Sequence, residues 1–370
     1  MADKSGSQTL WDSVPWQEWL DTPPSADDPS PTKPVGWHKP CVPYLHGANS
    51  LQTLDVWIPS PSHSKSHPTT SSALPDDTQL LSRTGVWIVY IHGGAWRDAT
   101  IKAASFAPTL HHILKSSDPA TAKIAGYASL DYTLSGGEAG EASRNARHPD
   151  HIIDVLRGIG FLQDIVGFKD NYIILGHSCG ATLLFQALMD RERWRIPRVV
   201  VAGEEHRSEN AALSKSASPS PRSIIKPSVA IGLDGLYDLP GLIEDPGEKH
   251  SRWIPEYEAF TRDAFGDDKE TWFDVSPVSV KDWVREWGRN DGMVVLVQSH
   301  DDTLVPYRQL TGFHESLKPA MDAGLEVFEL PATGDHDALW ETGDQIARII
   351  VDVLIEYLDK IDRSARPAKS

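Results

Sequence analysis

The sequence predicts an α/β fold with a mostly parallel central sheet and helices on both of its faces. Short apolar runs alternate with longer segments whose apolar residues recur at helical spacing, as in successive βαβ units. One of these runs enters a glycine-rich pentapeptide with a serine at its centre, GHSCG at 176–180. Polar loops that contain Asp and His follow two later runs, at the sheet edge where open α/β sheets bind ligands.

The individual elements follow this alternation along the chain. Residues 51–58 alternate in polarity like a strand, and residues 86–91 (VWIVYI) are apolar throughout, as in a buried parallel strand. Residues 99–115 and 148–166 have helical spacing, and a strand is predicted between them at 124–130. The elements predicted after the pentapeptide and its helix are the strands 229–233, 293–298 and 325–330 and the helices 307–323 and 338–359.

We predict a single domain over residues 36–362, followed by a tail at 363–370. Residues 1–35 are rich in Ser, Pro and Asp, which predicts a flexible segment, although three tryptophans favour partial packing onto the body. Residues 203–227 are polar, Ser-rich and aperiodic, which predicts a disordered insertion. Residues 239–280 carry six aromatic residues and are predicted to form a small lid-like excursion, with simple packing onto the body as the alternative.

Charge and composition limit the class of partner. The 370 residues include 35 Lys and Arg against 52 Asp and Glu, and the net charge of -17 argues against nucleic acid or an anionic membrane. A small-molecule ligand is favoured instead. No apolar run reaches the roughly 18 residues of a membrane span, and the first 35 residues lack a signal-peptide pattern. With only Cys41 and Cys179, no disulfide framework is expected, and a cytoplasmic location is predicted.

The pentapeptide has the G-x-S-x-G form of a nucleophile elbow, a sharp turn from a strand into a helix. Gly176 and Gly180 suit such a turn because the strand and helix backbones approach too closely for a Cβ atom. Ser178 is then expected at a helix N-terminus, where free N–H groups and the helix dipole favour developing negative charge. The alternative is a chance match in a Gly-rich loop, which the flanking strand and helix patterns disfavour.

Two acidic loops extend this pattern to a Ser, Asp, His chain order. HDDTLVP at 300–306 follows one predicted strand, and GDHD at 334–337 follows the next. Either loop alone would suit a helix N-cap. Together with Ser178, an aspartate at 301 or 302 and His336 give the order of the α/β-hydrolase triad, and the joint arrangement predicts that fold.

The segment HGGAW at 92–96 follows the strand 86–91 and suits an oxyanion hole. Acyl transfer passes through an oxyanion, and each preorganised donor lowers the barrier by about 3 kcal/mol. The expected donors are the N–H groups of Gly94 and its neighbours together with that of Cys179. His92 is expected to hold the loop by hydrogen bonding, and a direct catalytic role is the alternative.

Five motifs are spread over residues 92–239. They are HGGAW at 92–96, LDYTLS at 130–135, HPDHIIDV at 148–155, GHSCGA at 176–181 and GLYDL at 235–239. Together they resemble the fungal kynurenine formamidases, the arylformamidases of tryptophan catabolism. The resemblance covers about residues 51–358 outside the two Ser/Pro-rich insertions. Many hormone-sensitive-lipase-like esterases share the HGG and elbow motifs, whereas His-Gly-Gly-x-Trp is the more specific element.

The resemblance implies a role for each residue of the triad. Ser178 is the expected nucleophile, Asp302 the acid and His336 the base. In hydrolase loops of the form D-x-x-V-P the acid stands three residues before the valine, which fits Asp302 and leaves the adjacent Asp301 as the alternative.

The resemblance also implies that the HGGAW loop forms the oxyanion hole. The residues concerned are His92, Gly93, Gly94, Ala95, Trp96 and, across the site, Cys179. Trp96 either fills the acyl side of the site, and so excludes acyl groups larger than formyl, or serves packing alone.

The activity implied is hydrolysis of N-formyl-L-kynurenine to L-kynurenine and formate, on the kynurenine route of tryptophan catabolism toward NAD. His336 is expected to take the Ser178 proton, with a formyl-enzyme intermediate. No cofactor or metal is expected, because His111, His112 and the triplet 335–337 lack metal-site spacing. The alternatives are a broad-range carboxylesterase of the hormone-sensitive-lipase-like type and a non-catalytic interaction protein, and a homodimer is left open.

Overall fold

The computed structural model of the protein describes residues 4–20, 34–60, 84–137, 141–194 and 223–365. Parts of three predicted segments lie outside these ranges. They are residues 1–3 and 21–33 of the N-terminal segment, 203–222 of the insertion and 366–370 of the tail.

A nine-stranded sheet forms the centre of the described structure. Its strands are β1 (Gln17–Leu20), β2 (Pro34–Pro43), β3 (Thr53–Pro59), β4 (Val86–Ile91), β5 (Ile124–Leu130), β6 (Tyr172–His177), β7 (Val229–Leu233), β8 (Met293–Ser299) and β9 (Glu326–Ala332). The order across the sheet is β1-β2-β3-β5-β4-β6-β7-β8-β9. Strands β4 to β9 pair in parallel, whereas β1, β2 and β3 form an antiparallel edge. The predicted mostly parallel sheet is confirmed.

The helices connect and cover these strands. They are α1 (Lys4–Asp12), α2 (Ala107–Lys115), α3 (Asp150–Val166), α4 (Cys179–Leu188), α5 (Leu239–Glu244), α6 (Ile254–Phe265), α7 (Lys269–Asp274), α8 (Trp283–Trp287), α9 (Arg308–Asp322), α10 (Ala338–Thr342) and α11 (Asp344–Ala365). The single helix predicted at 338–359 is divided because Gly343, at φ 72°, ends α10 in the left-handed conformation. Helix α11 continues to Ala365, so the first residues of the predicted tail are helical.

Side-chain alternation along the central strands divides the core between the two faces of the sheet. On one face, Val89 and Ile91 of β4 belong to an apolar cluster that includes side chains of α3 and α4. On the other face, Ile88 and Tyr90 belong to a cluster built with α2 and α11. Helices therefore cover both faces, as the α/β prediction requires.

Residues 4–20 differ from the predicted flexible segment, because they form α1 and β1. Strand β1 pairs with β2, and Trp19 lies opposite Gly36. Trp11, Trp16 and Trp19 are all buried, and Lys39 Nζ donates to Trp11 O at 2.9 Å. The sequence favours partial packing of this segment through its tryptophans, and the structure shows that most of residues 4–20 pack onto the body.

The end of the predicted disordered insertion also differs from that prediction. Residues 223–227 lie along the body, where Lys226 Nζ donates to Leu188 O at 2.8 Å and Trp287 Nε1 donates to Pro227 O at 3.0 Å. Residues 239–280 form the helices α5, α6 and α7, with one 3-10 turn (Glu248–Trp253) between α5 and α6 and another (Pro277–Ser279) after α7. Among the helices of the described ranges, none has both the length and the apolar character that a membrane span needs.

We expect Trp11→Ala to lower the free energy of unfolding by about 3 to 5 kcal/mol, as for other buried tryptophans. The Trp11 ring lies 5.6 Å from the ring of Trp16 and 6.4 Å from that of Phe161, so its removal opens a cavity between α1 and α3. Urea unfolding followed by circular dichroism measures the change. The exposed Gln8→Ala on the same helix is the control, and equal stabilities of the two variants would contradict a structural role for α1.

Candidate active site

Ser178 occupies a strained turn between β6 and α4. Its φ of 55° and ψ of -124° are unfavourable for a residue with a side chain and cost of order 1–3 kcal/mol. A Cβ atom on Gly176 would lie 2.3 Å from Gly180 O, and one on Gly180 would lie 2.3 Å from Ile91 O. Both glycines are therefore required by the approach of neighbouring backbones. Ser178 N–H donates to Leu233 O at 2.8 Å, which fixes the turn to β7.

His336 and Asp302 form a buried pair at the carboxyl ends of β9 and β8. His336 Nδ1 donates to Asp302 Oδ2 at 2.8 Å, and the two side chains are 6% and 0% exposed. The other carboxylate oxygen, Oδ1, accepts from the N–H groups of Leu304 and Val305 at 2.7 Å each. These bonds fix the orientation of the carboxylate, and through it the orientation of the imidazole.

The structure brings Asp302, and not Asp301, to His336. Asp301 is exposed, and its N–H donates to Ser299 Oγ at 3.1 Å. Asp302 is buried at the imidazole. Consecutive residues in an extended or turning backbone direct their side chains differently, so one of two adjacent aspartates reaches the ring.

A third carboxylate ties the two acidic loops together. Asp335 Oδ1 accepts hydrogen bonds from Thr303 N at 2.9 Å, from Thr303 Oγ1 at 2.8 Å and from His336 N at 2.8 Å. The bonds from Thr303 and His336 hold the pKa of Asp335 below its usual value. The loop after β8 and the loop after β9 are therefore held at a fixed separation.

Ser178 and His336 line the same cavity, which has a volume of about 220 Å³. Gly94 and Ala95 of the HGGAW loop form one wall. The apolar part of the lining also includes Ile101, Leu236, Tyr257, Phe260, Leu304 and Val305. Because Tyr257 and Phe260 belong to α6, the predicted lid-like excursion contributes directly to the wall of the cavity.

The HGGAW loop is held in a backbone conformation that is rare for residues with side chains. Gly94, Ala95 and Trp96 have φ values of 103°, 48° and 58° in succession. Trp96 N–H donates to Cys179 Sγ at 3.3 Å and is therefore not available to a ligand. Gly94 lines the cavity, and Cys179 N–H, as the first in α4, has no acceptor within the helix. Trp96 N–H is therefore excluded from the expected oxyanion donors, whereas the N–H groups of Gly94 and Cys179 remain.

His92 lies behind this loop and does not line the cavity. Its Nδ1 donates to Gly93 O at 2.8 Å, and its Nε2 lies 3.3 Å from Asp131 Oδ1. Its ring stacks on Tyr132 at 4.6 Å between centroids, and the Tyr132 hydroxyl donates to His92 O and Gly93 O. These contacts match the expected role of His92 in holding the loop.

Trp96 and Cys179 are both fully buried. The Trp96 ring packs edge-on against Phe265 at 5.0 Å and against Phe260 at 5.8 Å, and it does not line the cavity. Of the two roles considered for Trp96, this geometry favours packing. Burial raises the pKa of the Cys179 thiol to about 11, which disfavours the thiolate form that a cysteine nucleophile requires.

Similarity to curated proteins shows the family. A kynurenine formamidase-like hydrolase of Fusarium equiseti is 35% identical over 341 residues, which cover 88% of this chain and 97% of that protein. The chain belongs to the kynurenine formamidase family. The kynurenine formamidase of Aspergillus versicolor is 34% identical over 272 residues, which cover 70% of this chain and 85% of that protein. The family resemblance drawn from the five motifs is confirmed.

Solved structures show the fold of this kynurenine formamidase family member. Esterase B from Lactobacillus rhamnosis superposes with a TM-score of 0.55 at 13% identity, over 98% of this chain and 99% of that one. A truncated carbohydrate esterase from gut microbiota superposes with a TM-score of 0.53 at 17% identity, over 86% and 95% of the two chains. No family model matches the chain. The protein is a hydrolase with the α/β-hydrolase fold.

Two buried groups beside His336 in this family member are not predicted from the sequence. His177 Nε2 donates to His336 O at 3.0 Å, and Asp234 Oδ1 accepts from Ser299 N at 2.9 Å. Asp234 Oδ2 is buried with no hydrogen-bond partner among the described residues. One ligand-type atom from each of His177, Asp234 and His336 lies within 4.8 Å of the others. The available signal was that Asp234 directly follows β7, as the acidic loops follow β8 and β9.

These groups set the charge at His336. Burial by itself lowers the pKa of His336, but the hydrogen bond that its Nδ1 donates to Asp302 and the charges of Asp302 and Asp234 more than offset this effect, so the pKa is raised. Burial raises the pKa of Asp234 to about 7. Burial and the neighbouring His336 hold the pKa of His177 well below its usual value, so His177 is neutral. Asp234 therefore titrates near neutral pH, and its charge and that of His336 influence each other.

We expect Asp234→Asn to lower the pKa of His336. The negative charge of Asp234 stabilises the imidazolium, and Asn removes that charge while it keeps the Oδ1 acceptor for Ser299 N. The neutral imidazole should then persist to lower pH than in the wild type. NMR titration of the His336 ring protons measures the shift. Asp337→Asn, at an exposed carboxylate near the same ring, should give a smaller decrease, and an unchanged pKa in Asp234→Asn would refute the coupling.

Proposed function

We propose that the protein is a serine hydrolase that cleaves the formamide of N-formyl-L-kynurenine to L-kynurenine and formate, a step of tryptophan catabolism. The observation that carries the proposal is the convergence of the Ser178 elbow and the buried His336–Asp302 pair on one cavity. The relatives support the substrate, because several of them are named kynurenine formamidase, among them one that is 34% identical to this chain.

In the proposed reaction Ser178 Oγ attacks the formyl carbon. His336 Nδ1 is bonded to Asp302, so Nε2 is the nitrogen that takes the Ser178 proton as the new C–O bond forms. Asp302 stabilises the imidazolium that results. The oxyanion is bound by the Gly94 and Cys179 N–H groups, each of which contributes about 3 kcal/mol.

The tetrahedral intermediate then collapses with cleavage of the C–N bond. His336 gives its proton to the departing arylamine, and L-kynurenine leaves a formyl group on Ser178. A water molecule next donates its proton to His336 and attacks the formyl carbon. Collapse of this second intermediate releases formate and returns the proton to Ser178, so the enzyme is regenerated without a further reactant.

A broad-range carboxylesterase is the competing assignment, because the same triad would hydrolyse esters. A formyl group needs almost no space on the acyl side, whereas longer acyl chains need a pocket. Gly94, Ala95 and Phe260 line the same cavity as Ser178. This lining favours a small acyl group and a flat leaving group.

Rates on the two substrate classes test the proposal. We expect kcat/KM for N-formyl-L-kynurenine to exceed that for p-nitrophenyl acetate and p-nitrophenyl butyrate. Ser178→Ala should lower kcat by a factor of roughly 10⁶, because loss of a triad nucleophile removes the concerted action of the triad. An unchanged melting temperature of this variant is the control. Fast ester hydrolysis without release of kynurenine would instead establish the esterase.

We expect Asp302→Asn to lower kcat by a factor on the order of 10⁴, through loss of the correct His336 tautomer and of charge stabilisation. Asp301→Asn is the matched control, since it alters the adjacent exposed carboxylate, and should change kcat less than about tenfold. Release of kynurenine by the two purified variants measures the difference. A larger loss in Asp301→Asn would move the acid by one residue.

A further inference from the structure

The rim of the active-site cavity differs in chemistry from its floor. The floor is apolar apart from Ser178 and His336, whereas four charged side chains line the rim. They are Arg97, Asp98, Glu256 and Asp337. A substrate with one flat apolar part and one charged end would match both regions.

Arg97 is held at a fixed place relative to the oxyanion loop. The N–H groups of Arg97 and Asp98 both donate to Gly94 O, at 2.9 and 2.8 Å, and Arg144 Nη2 donates to Arg97 O at 3.2 Å. Gly94 is also the loop residue expected to bind the oxyanion. Arg97 therefore lies three residues after an expected oxyanion donor, in a turn that these hydrogen bonds close.

The Arg97 guanidinium faces helix α6. Its Nη2 pairs with Glu256 Oε1, and its Nη1 lies 3.5 Å from Asp263 Oδ2. A guanidinium has five N–H donors, so these two contacts leave donors for a planar carboxylate from a ligand. The Arg97 side chain is 29% exposed, so the approach of a ligand is open.

The three rim carboxylates are not equivalent. Asp98 Oδ1 accepts from Thr100 N and Oγ1, and Asp337 Oδ1 accepts from Trp340 Nε1 at 2.9 Å, so each is bonded within its own loop. Glu256 instead pairs with Arg97 across the cavity rim. Among these three carboxylates, Glu256 is thus the one that pairs with the rim guanidinium of Arg97.

The balance of charge selects among ligands. Three carboxylates against one guanidinium disfavour a ligand that carries a carboxylate alone, because the anion would meet a net negative rim. An ammonium group on the same ligand would offset this repulsion, because the rim carboxylates attract it. The adjacent positive and negative charges of Arg97 and Glu256 match the adjacent carboxylate and ammonium of an α-amino acid.

We infer that the rim is the binding site for the α-amino-acid end of the substrate, with Arg97 on its carboxylate and Glu256 on its ammonium. The inference rests on the proposed function, since N-formyl-L-kynurenine carries both groups on one carbon. It assigns specificity for a zwitterionic aryl formamide, in preference to a neutral or singly charged one, to these two residues.

Four substrates of the full-length protein separate the two contacts. They are N-formyl-L-kynurenine, its decarboxylated analogue, its deaminated analogue and 2′-formamidoacetophenone, which lacks both groups. In the wild type we expect kcat/KM to be highest for the zwitterion, by roughly tenfold to hundredfold over each singly charged analogue, the gain expected of a charge-assisted hydrogen bond.

The variants should change these ratios selectively. Arg97→Gln should abolish most of the preference for the carboxylate, and Glu256→Gln most of the preference for the ammonium. Arg97→Lys keeps the charge without the planar donor pair and should be intermediate. Glu258→Gln is the control, since Glu258 lies on the same helix, pairs with Arg262 and does not line the cavity. Melting temperatures of all variants report whether α6 stays in place.

Equal losses on all four substrates in Arg97→Gln and Glu256→Gln would overturn the inference, because they would indicate a structural effect on the loop or on α6. A wild type that does not distinguish the four substrates would overturn it as well. Calorimetric binding of L-kynurenine to Ser178→Ala, with and without Arg97→Gln, separates this inference from the proposed reaction. Arg97-dependent binding of L-kynurenine together with no formamide turnover by the wild type would refute the reaction alone, whereas wild-type turnover together with Arg97-independent binding would refute the rim site alone.

Discussion

The structure of the active site depends on the close approach of three backbone segments at the elbow. A Cβ atom on Gly180 would meet Ile91 O at 2.3 Å and His92 O at 2.5 Å, and one on Gly93 would meet His177 Nδ1 at 2.9 Å. The backbone at the start of α4 is therefore in close contact with the end of β4 and with the HGGAW loop. Ser178 cannot relax to an ordinary backbone conformation without moving that loop. The serine and the expected oxyanion donors are consequently one rigid unit, which favours preorganised catalysis.

The second constraint is electrostatic and arises at the same edge of the sheet. The loops that follow strands β7, β8 and β9 carry Asp234, Asp302 and His336, and all three side chains are buried. Burial disfavours every charge in this group, but hydrogen bonds and mutual attraction keep the His336 imidazolium accessible. Both carboxylate oxygens of Asp302 accept hydrogen bonds, whereas Oδ2 of Asp234 has no hydrogen-bond partner among the residues that the structure describes. Asp302 therefore orients the ring, and Asp234 adds a charge whose presence depends on pH.

The sequence predicts those parts of the fold that depend on local pattern. Strands β4, β5 and β7 have their predicted bounds, and every residue in each of them is buried. Strands β1 and β2 were not predicted, because β1 has four residues and β2 contains three prolines, which occur mainly in edge strands. Asp302 could be preferred from its spacing to Val305, but the proximity of Asp234 to His336 could not, since it depends on how three separate strands are aligned.

The origin of the rim charges connects recognition to chemistry. Arg97 follows the oxyanion loop within the same turn, so its position relative to Ser178 is set by the hydrogen bonds to Gly94 O. Glu256 is carried by α6, whose Tyr257 is tied to the triad loop by a hydrogen bond from its hydroxyl to Leu304 O at 2.5 Å. A displacement of α6 would change the charge at the rim and the loop that orients Asp302, but not the hydrogen bonds of the Arg97 turn. Because Phe260 and Phe265 of the same helix pack against Trp96, the excursion 239–280 connects the recognition of the substrate's charged end to the position of the oxyanion loop.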